Sequence, residues 1–201
     1  ELMGDDPEER RETVALVTDE LDRMSRMVND LLVLARAEQP DFLRLAEVDV
    51  AAMMTDLYAK ASALGPRDWE LGPVAEVTVR ADRQRLEQAI TQLAQNAVQF
   101  TQPGDRVRLS AQVRGEWLAL AVSDTGVGID PADQERIFEL FQRAGAGRSR
   151  PEGVGLGLAI VRAIAVAHRG RVTVTSAPGE GATFTLEIPL DQQAARESGA
   201  R

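Results

Sequence analysis

The stretch SDTGVGIDP, at residues 123–131, follows alternating apolar residues and predicts a sharp turn at the end of a strand. Asp124 precedes two glycines, Gly126 and Gly128, which allow the backbone to approach a ligand closely. The Asp124 carboxylate can accept a hydrogen bond from an exocyclic amine such as that of adenine. An Asp-Gly turn that binds nothing explains this segment alone equally well.

A predicted helix with one polar face lies upstream, in the stretch LEQAITQLAQNAVQFT at residues 86–101. Gln92, Asn96 and Gln99 are three and four residues apart and therefore share one side of that helix. A neutral amide oxygen such as that of Asn96 suits Mg²⁺ that already carries triphosphate oxygens and water. An asparagine taken alone is more often a surface or capping residue.

Three glycines at alternate positions lie downstream, in the stretch EGVGLGLAIV at residues 152–161, and run directly into a predicted helix. Backbone N–H groups at such a helix start can cradle anionic phosphates, and the helix dipole favours the negative charge. The spacing is neither a G-x-G-x-x-G dinucleotide fingerprint nor a Walker loop, because no G-K-[ST] follows. A glycine run by itself is weak evidence for a ligand.

The composition of the 201-residue chain excludes several classes of function. A net charge of −9 without segregated basic residues disfavours a nucleic-acid surface. The chain has no cysteine and one histidine, which excludes disulfides and cysteine nucleophiles and disfavours a zinc site. No apolar run approaches the roughly 20 residues that a membrane-spanning helix needs.

The first forty residues predict one long helix. Asp6, Pro7 and Glu9 form a helix-start signal, and Pro40 ends the helix. Apolar residues alternate at spacings of three and four, which gives an a/d seam typical of a helical bundle or coiled coil. An amphipathic helix folded onto its own domain is the alternative. The seam consists of Val14, Val17, Leu21, Met24, Val28, Leu31 and Ala35.

Residues 41–190 predict a second unit, in which strands occur in pairs between helices. The predicted strands are 42–50, 75–81, 105–114, 116–124, 170–177 and 181–190, and the predicted helices are 51–64, 82–100, 131–141 and 154–167. A loop is expected over 142–152 and a flexible tail over 191–201. This order predicts an α+β fold, a two-layer sandwich with a mixed sheet and helices on one face.

Taken in order, the three segments resemble the N, G1 and G2 boxes of the GHKL ATP-binding fold. The stretch RIFELFQR, at residues 136–143, resembles the F box of that fold, and the whole resemblance spans about residues 86–186. The stretch MVNDLLVLAR, at residues 27–36, resembles the second helix of the dimerisation and phosphotransfer hairpin of sensor histidine kinases. The sequence therefore resembles the kinase core of a two-component sensor histidine kinase.

The resemblance implies an ATP site in which Asn96 coordinates Mg²⁺ and Asp124 reads the adenine amino group. It places an ATP lid over residues 142–154 and implies that Phe100 and Thr183 flank the adenine. The remaining ATP-binding positions that it implies are Gln99, Gly126, Gly128, Arg143, Gly153, Gly155, Gly157 and Leu158.

Two residues depart from the pattern of the family. Gln92 replaces an asparagine and Gln99 replaces a lysine, and the lost cation is expected to weaken nucleotide binding by about 1 kcal/mol. Family members that hydrolyse ATP or phosphorylate serine carry a glutamate at position 92, and an amide cannot take its role as proton acceptor. A histidine kinase is therefore favoured. A degenerate nucleotide-binding or dimerisation scaffold and a GHKL serine kinase or ATPase remain the alternatives.

His168 is the single histidine of the chain, and the resemblance matches it to a structural histidine at a helix end. The phospho-acceptor histidine is expected upstream of residue 1, so we expect no catalytic residue within the sequence and no autophosphorylation by it. The resemblance further implies a cytoplasmic location, a membrane-anchored parent protein, homodimerisation through the hairpin and a response-regulator receiver domain as partner. Neither nucleic acid nor direct membrane contact is expected.

Overall fold

The computed structural model describes residues 7–141 and 155–191, without the side chains of Pro7 and Glu9. The predicted N-cap Asp6, the whole of the predicted loop 142–152 and all of the predicted tail except Asp191 lie outside these residues. The helices are α1, Pro7–Arg36; α2, Val50–Ala61; α3, Arg83–Phe100; and α4, Gly157–Ala167. The strands are β1, Ala46–Asp49; β2, Asp68–Val74; β3, Thr78–Ala81; β4, Arg106–Arg114; β5, Trp117–Asp124; β6, Arg171–Ser176; and β7, Ala182–Pro189.

The long helix α1 is confirmed, and it has two apolar faces. Near its C-terminal end, Met27, Val33 and Leu34 pack against the core of the following unit, where α1 contacts α4. The predicted a/d seam is exposed, with Leu21 58% accessible. The large apolar residues exposed on this helix are Val14, Leu16, Val17, Leu21, Met24, Val28, Leu31 and Leu32. One face of α1 is thus available to a partner.

The main sheet has five strands in the order β2-β4-β5-β7-β6. The β2–β4 pair is parallel and the other pairs are antiparallel, so the predicted mixed sheet is confirmed. Strands β1 and β3 form a separate antiparallel pair. Alternate residues of β4, β5 and β7 are buried, and α2, α3 and α4 contact the sheet. The core therefore lies between the helices and one face of the sheet, as an α+β sandwich requires.

Strand β2 was not predicted, because Gly72 and Pro73 interrupt its sequence. It is an edge strand, and its register with β4 shifts between Leu71 and Val74. Proline lacks a backbone donor and is tolerated at such an edge or bulge. The pairing with β4 thus outweighs the local turn signal.

The predicted helix 131–141 is wrong. The segment forms turns and a short 3₁₀-helix, Arg136–Phe138. The Asp130 carboxylate accepts a hydrogen bond from the backbone N–H of Ala132 at 2.9 Å, which forms an Asx turn at the start of the segment. Ile137 and Phe138 are buried against the core, so their packing sets the path of the chain here.

Candidate functional site

Helix α3 carries the polar face that the sequence predicts. Its N-cap is Asp82, whose Oδ1 accepts from the backbone N–H of Arg85 at 3.0 Å and whose Oδ2 accepts from that of Arg44 at 2.7 Å. Leu86, Ile90 and Leu93 are fully buried under the helix. This packing fixes the rotation of α3 and leaves its polar residues half-buried at the edge of the core.

Arg67, which no sequence signal indicated, anchors the C-terminal end of α3. Its Nη2 donates to the carbonyl oxygens of Val98 at 2.9 Å and Thr101 at 3.1 Å, and its Nε donates to Thr101 Oγ1 at 2.7 Å. Carbonyl groups at a helix C-terminus lack intrahelical partners and carry partial negative charge. A guanidinium satisfies them and stabilises the last turn of the helix.

Asp124 is the last residue of β5 and is 8% exposed. Its Oδ1 accepts from the backbone N–H of Gly126 at 2.9 Å. Burial raises the pKa of the Asp124 carboxyl, and the nearby Asp105 raises it further, while the N–H groups of Gly126 and Ala182 act in the opposite direction. The result is a carboxylate with a fixed orientation in a poorly hydrated setting.

Two close contacts bring the three sequence segments together on α3. The Phe100 carbonyl accepts from the backbone N–H of Val127 at 3.3 Å, and a Cβ added to Gly126 would lie 2.3 Å from that same oxygen. On the preceding turns of the helix, Gln92 Oε1 would lie 2.6 Å from a Cβ added to Gly157. Asn96 is one turn from each contact. One side of α3 is therefore flanked by the loop after β5 and by the start of α4.

The start of α4 is well suited to an anionic group. The 11-residue helix begins at Gly157, and Gly155 has a φ of +75° that favours glycine. The Gly155 carbonyl accepts from the backbone N–H of Phe141 at 3.1 Å, which fixes the chain before the helix. Leu158 packs against the core. The predicted positions Arg143 and Gly153 and the predicted lid 142–154 lie outside the described residues.

Comparison with known proteins identifies the family. The profile described as histidine kinase-, DNA gyrase B- and HSP90-like ATPase matches residues 81–192, more than half of the chain. The chain belongs to this ATPase family. The match contains α3, the loop after β5 and α4, which are the three elements that meet in the structure.

Similar proteins within this ATPase family are sensor histidine kinases. The "Probable sensor histidine kinase TcrY" of Mycobacterium tuberculosis is 39% identical over 99% of this chain and 42% of its own length. Full-length ShkA in complex with AMPPNP has a TM-score of 0.75 and 32% identity, over 90% of this chain and 39% of ShkA. ThkA in complex with the response regulator protein TrrA has a TM-score of 0.74 over 96% of this chain and 55% of ThkA. At 24% identity, the ThkA match shows the fold alone. The chain spans less than half the length of TcrY.

The side chains on the polar face of α3 lie between the loop after β5 and the start of α4. Asn96 is half-buried, and its amide has no hydrogen-bond partner within residues 7–141 and 155–191. Gln99 is half-buried on the same face, and the Phe100 ring at the end of the helix is 39% exposed. An amide oxygen without a partner can coordinate a cation without breaking an existing bond.

Thr183, which the resemblance places beside the adenine, does not share a face of the sheet with Asp124. Its Oγ1 donates to Ser123 Oγ at 2.9 Å, and Thr183 and Ser123 are register partners on β7 and β5. Since successive side chains of a strand point to opposite faces, Thr183 lies on the face opposite Asp124. Ala182 pairs with Asp124 and shares its face. The structure therefore places Ala182, which the sequence did not indicate, on the same face of the sheet as Asp124, and Thr183 on the other face.

His168 has the structural role that was predicted. It is the C-cap of α4 and is fully buried. Its Nδ1 donates to the Ile164 carbonyl at 2.9 Å, and its Nε2 accepts from the backbone N–H of Asp82 at 3.1 Å. These partners require the neutral ring with its proton on Nδ1, and burial lowers the pKa of His168. The imidazole thus joins the end of α4 to the start of α3.

Among the described residues, no three or more His, Cys, Asp or Glu side chains are grouped so that they could hold a metal ion. Over the same part of the chain, no helix is long and apolar enough to cross a membrane.

Proposed function

We propose that the chain is the cytoplasmic ATP-binding kinase core of a two-component sensor histidine kinase. In this proposal residues 1–40 are the C-terminal part of the dimerisation and phosphotransfer hairpin, residues 41–190 bind ATP and residues 191–201 form a flexible tail. The γ-phosphoryl group passes to a histidine other than His168 and then to an aspartate of a response-regulator receiver domain. The TcrY and ShkA relatives support this assignment.

The observation that carries the proposal is the meeting of three groups along α3. The Asp124 carboxylate, the Asn96 amide, which has no partner in the described part of the chain, and the glycine backbone at 155–157 border the same side of the helix. A carboxylate matches an exocyclic amine, an amide oxygen matches a hydrated cation, and a helix start matches phosphates. An adenine nucleotide bound with a divalent cation carries all three complementary groups.

The residues present fit Mg²⁺ that is bound together with a triphosphate. Mg²⁺ usually binds through few protein oxygens and keeps water and phosphate ligands, and one amide oxygen is what α3 offers through Asn96. When bound, the ion neutralises charge on the phosphates. The chain itself holds the nucleotide base through Asp124, and Gly126 lets the Phe100 backbone pack closely beside it. The remaining ATP-binding positions that we propose are Gln99, Phe100, Gly128, Arg143, Gly153, Gly155, Gly157 and Leu158.

Gln92 favours a kinase over an ATPase. Its side-chain oxygen lies against Gly157, at the expected phosphate end of the site, where a carboxylate would be needed to activate water. An amide cannot accept a proton there. An imidazole acceptor is already a good nucleophile near neutral pH, so histidine phosphorylation needs no such base.

The exposed seam of α1 supports a homodimer. Large apolar residues 43–70% exposed lie along most of its length, and such a surface is stabilised by burial against another helix. We propose that the seam forms part of a helical bundle between two copies of the protein, which also presents the acceptor histidine to the receiver domain.

Nucleotide titration tests the proposed function. We expect the chain to bind a fluorescent ATP analogue in a Mg²⁺-dependent manner, and Asn96→Ala to remove most of that dependence while Asp124→Asn weakens binding at any Mg²⁺ concentration. Gln112→Ala, on β4 away from the site, serves as control. Absence of binding at millimolar nucleotide contradicts the proposal and favours a scaffold.

A second measurement distinguishes histidine-kinase activity from ATPase activity. The chain is incubated with γ-labelled ATP alone and with the full-length protein carrying Asp124→Asn, which keeps the acceptor but lacks the base contact. We expect acid-labile label on the full-length protein only. Steady-state ATP hydrolysis by the chain indicates an ATPase instead, and label on His168 contradicts its structural role.

A further inference from the structure

The side chain of Gln134 connects the loop after β5 to the end of β6, which is far from it in the sequence. Gln134 Nε2 donates to the carbonyl oxygens of Ile129 at 3.2 Å and of Ser176 at 2.9 Å. Both partners are carbonyls, which only accept, so the hydrogen-bond pattern itself assigns the amide nitrogen. The amide bridges the loop and the end of β6.

Ser176 completes the same connection. Its Oγ accepts from the backbone N–H of Ile129 at 2.8 Å and donates to the Gly181 carbonyl at 2.6 Å. Both backbone polar groups of Ile129 are therefore bound, the N–H by Ser176 and the carbonyl by Gln134. We call these two side chains the Gln134–Ser176 clamp.

The clamp acts on a glycine-containing segment that packs closely on the β6–β7 turn. Gly128 has a φ of +68°, and a Cβ added to it would lie 1.9 Å from the Ala177 carbonyl oxygen. The Gly179 backbone N–H donates to the Val127 carbonyl at 2.8 Å, so the loop lies directly on the β6–β7 turn. Glycine allows this close approach but increases the entropy lost when the segment is ordered. Side-chain hydrogen bonds at the far end of the loop offset that loss.

The clamp is connected to Asp124 indirectly, through the loop that contains Ile129 and through Gly181. Asp124 is anchored at the start of the loop by the N–H of Gly126, while a Cβ added to Gly181 would lie 2.0 Å from the Asp124 backbone oxygen. Ser176 binds the carbonyl of Gly181. A shift of Ile129 or Gly181 would therefore move the backbone on which the Asp124 carboxylate is oriented.

We propose that Gln134 and Ser176 are positioning residues that determine the selectivity of this site for adenine over guanine. Adenine presents an amino donor at the position where guanine presents a carbonyl acceptor. A carboxylate held in place binds the first and repels the second, whereas a carboxylate on a loosened loop moves away from either base. The inference rests on the proposed nucleotide site and adds the residues that make its base contact selective.

Titration of the chain with Mg²⁺ and either ATP or GTP tests the proposal. The variants are Gln134→Met, Gln134→Glu, which keeps the shape but replaces the donor by an acceptor, and Ser176→Ala. Each is expected to weaken ATP binding about tenfold, as the loss of one or two hydrogen bonds that order the bound loop implies. GTP affinity is expected to change much less, because the proposed phosphate contacts are at the start of α4. The ratio of the dissociation constant for GTP to that for ATP is therefore expected to fall.

The control is Gln112→Met, which makes the same substitution on β4, where Gln112 contacts only the guanidinium of Arg114 among the side-chain hydrogen bonds described. Its ratio is expected to equal that of the unaltered chain. Amide exchange at Ile129 provides a direct measurement, since Ser176→Ala removes the acceptor of that N–H and is expected to increase its exchange rate.

The outcomes distinguish this inference from the proposed function. If the unaltered chain binds ATP and prefers it to GTP, and the clamp variants keep that ratio while losing only thermal stability, the clamp is structural and the inference is wrong. If the unaltered chain binds neither nucleotide, the proposed function fails and the inference fails with it. A reduced ratio in Ser176→Ala supports the inference even if a Gln134 variant does not fold.

Discussion

Replacing Arg67 by methionine tests how the end of α3 is held. The substitution keeps an unbranched apolar stem and removes the guanidinium, which donates three hydrogen bonds to Val98 and Thr101 at 2.7–3.1 Å. A net hydrogen bond is worth about 1 kcal/mol, and a cation at a helix C-terminus adds a few tenths more. Arg67 is half-buried, so water can hydrogen-bond to some of the oxygen atoms that lose the guanidinium. We therefore expect the free energy of unfolding to fall by about 2 kcal/mol.

Arg83→Met is the matched control, because Arg83 lies at the other end of the same helix. Its guanidinium contacts Asp56 at 2.6 Å and Glu87 at 2.7 Å; Arg83 and Asp56 are exposed, and Glu87 is half-buried. Exposed ion pairs of this kind contribute about 0.5 kcal/mol. Urea unfolding of both variants, followed by circular dichroism, compares the two losses directly.

The comparison also has a functional part. The last turn of α3 supplies the Phe100 carbonyl that binds the loop after β5, so we expect Arg67→Met to weaken ATP binding and Arg83→Met to leave it unchanged. Arg67→Lys keeps the charge without the planar fork and is expected to lie between the two. Equal stability losses in Arg67→Met and Arg83→Met would refute the reasoning.

Three further predictions follow from the contacts of the site. Gly126→Ala is expected to lower the free energy of unfolding by about 2 kcal/mol, since its Cβ would overlap the Phe100 carbonyl oxygen, and chemical denaturation measures the loss. Thr183→Val is expected to leave the dissociation constant for ATP unchanged, because its hydroxyl bonds to Ser123 on the opposite face; a large loss in the nucleotide titration would contradict that placement. His168 has a pKa lowered by burial, so its contribution to stability is complete above the unfolded value of about 6.5 and declines as the pH falls from there towards the lower folded value. The difference in unfolding free energy between the unaltered chain and His168→Gln is therefore expected to shrink between pH 7 and pH 5, and an NMR-measured His168 pKa at or above 6.5 would contradict the sign.

Local sequence patterns were sufficient to predict the helices and strands that depend on residues close together in the chain. Helix α3 begins where Asp82 caps it, and strands β4 and β5 pair on either side of Gly115, which has the positive φ of a hairpin turn. The spacing of apolar residues and the capping residues of helices involve positions only a few residues apart, so a single sequence suffices to locate these elements. The polar face of α3 was predicted for the same reason.

Features that depend on distant contacts were not predictable in this way. Strand β2 exists because β4 lies beside it, and the role of Gln134 depends on a bond to Ser176, 42 residues further along the chain. The placement of Thr183 depended on the register between β5 and β7, where an error of one residue reverses the face. Each of these outcomes is decided by pairing partners that the local sequence does not specify.

The two departures from the family pattern in α3 have different physical consequences. Gln92 is long enough for its oxygen to lie against Gly157, so it fills space between α3 and α4 that a glycine leaves open. Its role is therefore compatible with packing as well as with chemistry. Gln99 lies two turns further on, near the C-terminal end of the helix, where the Arg67 guanidinium already donates to the backbone. The missing lysine thus costs the helix end little, and in the proposed site its effect falls on the nucleotide, to which a neutral amide would offer a hydrogen bond in place of a charge. Nucleotide affinity, rather than the stability of α3, is the quantity that Gln99→Lys should raise.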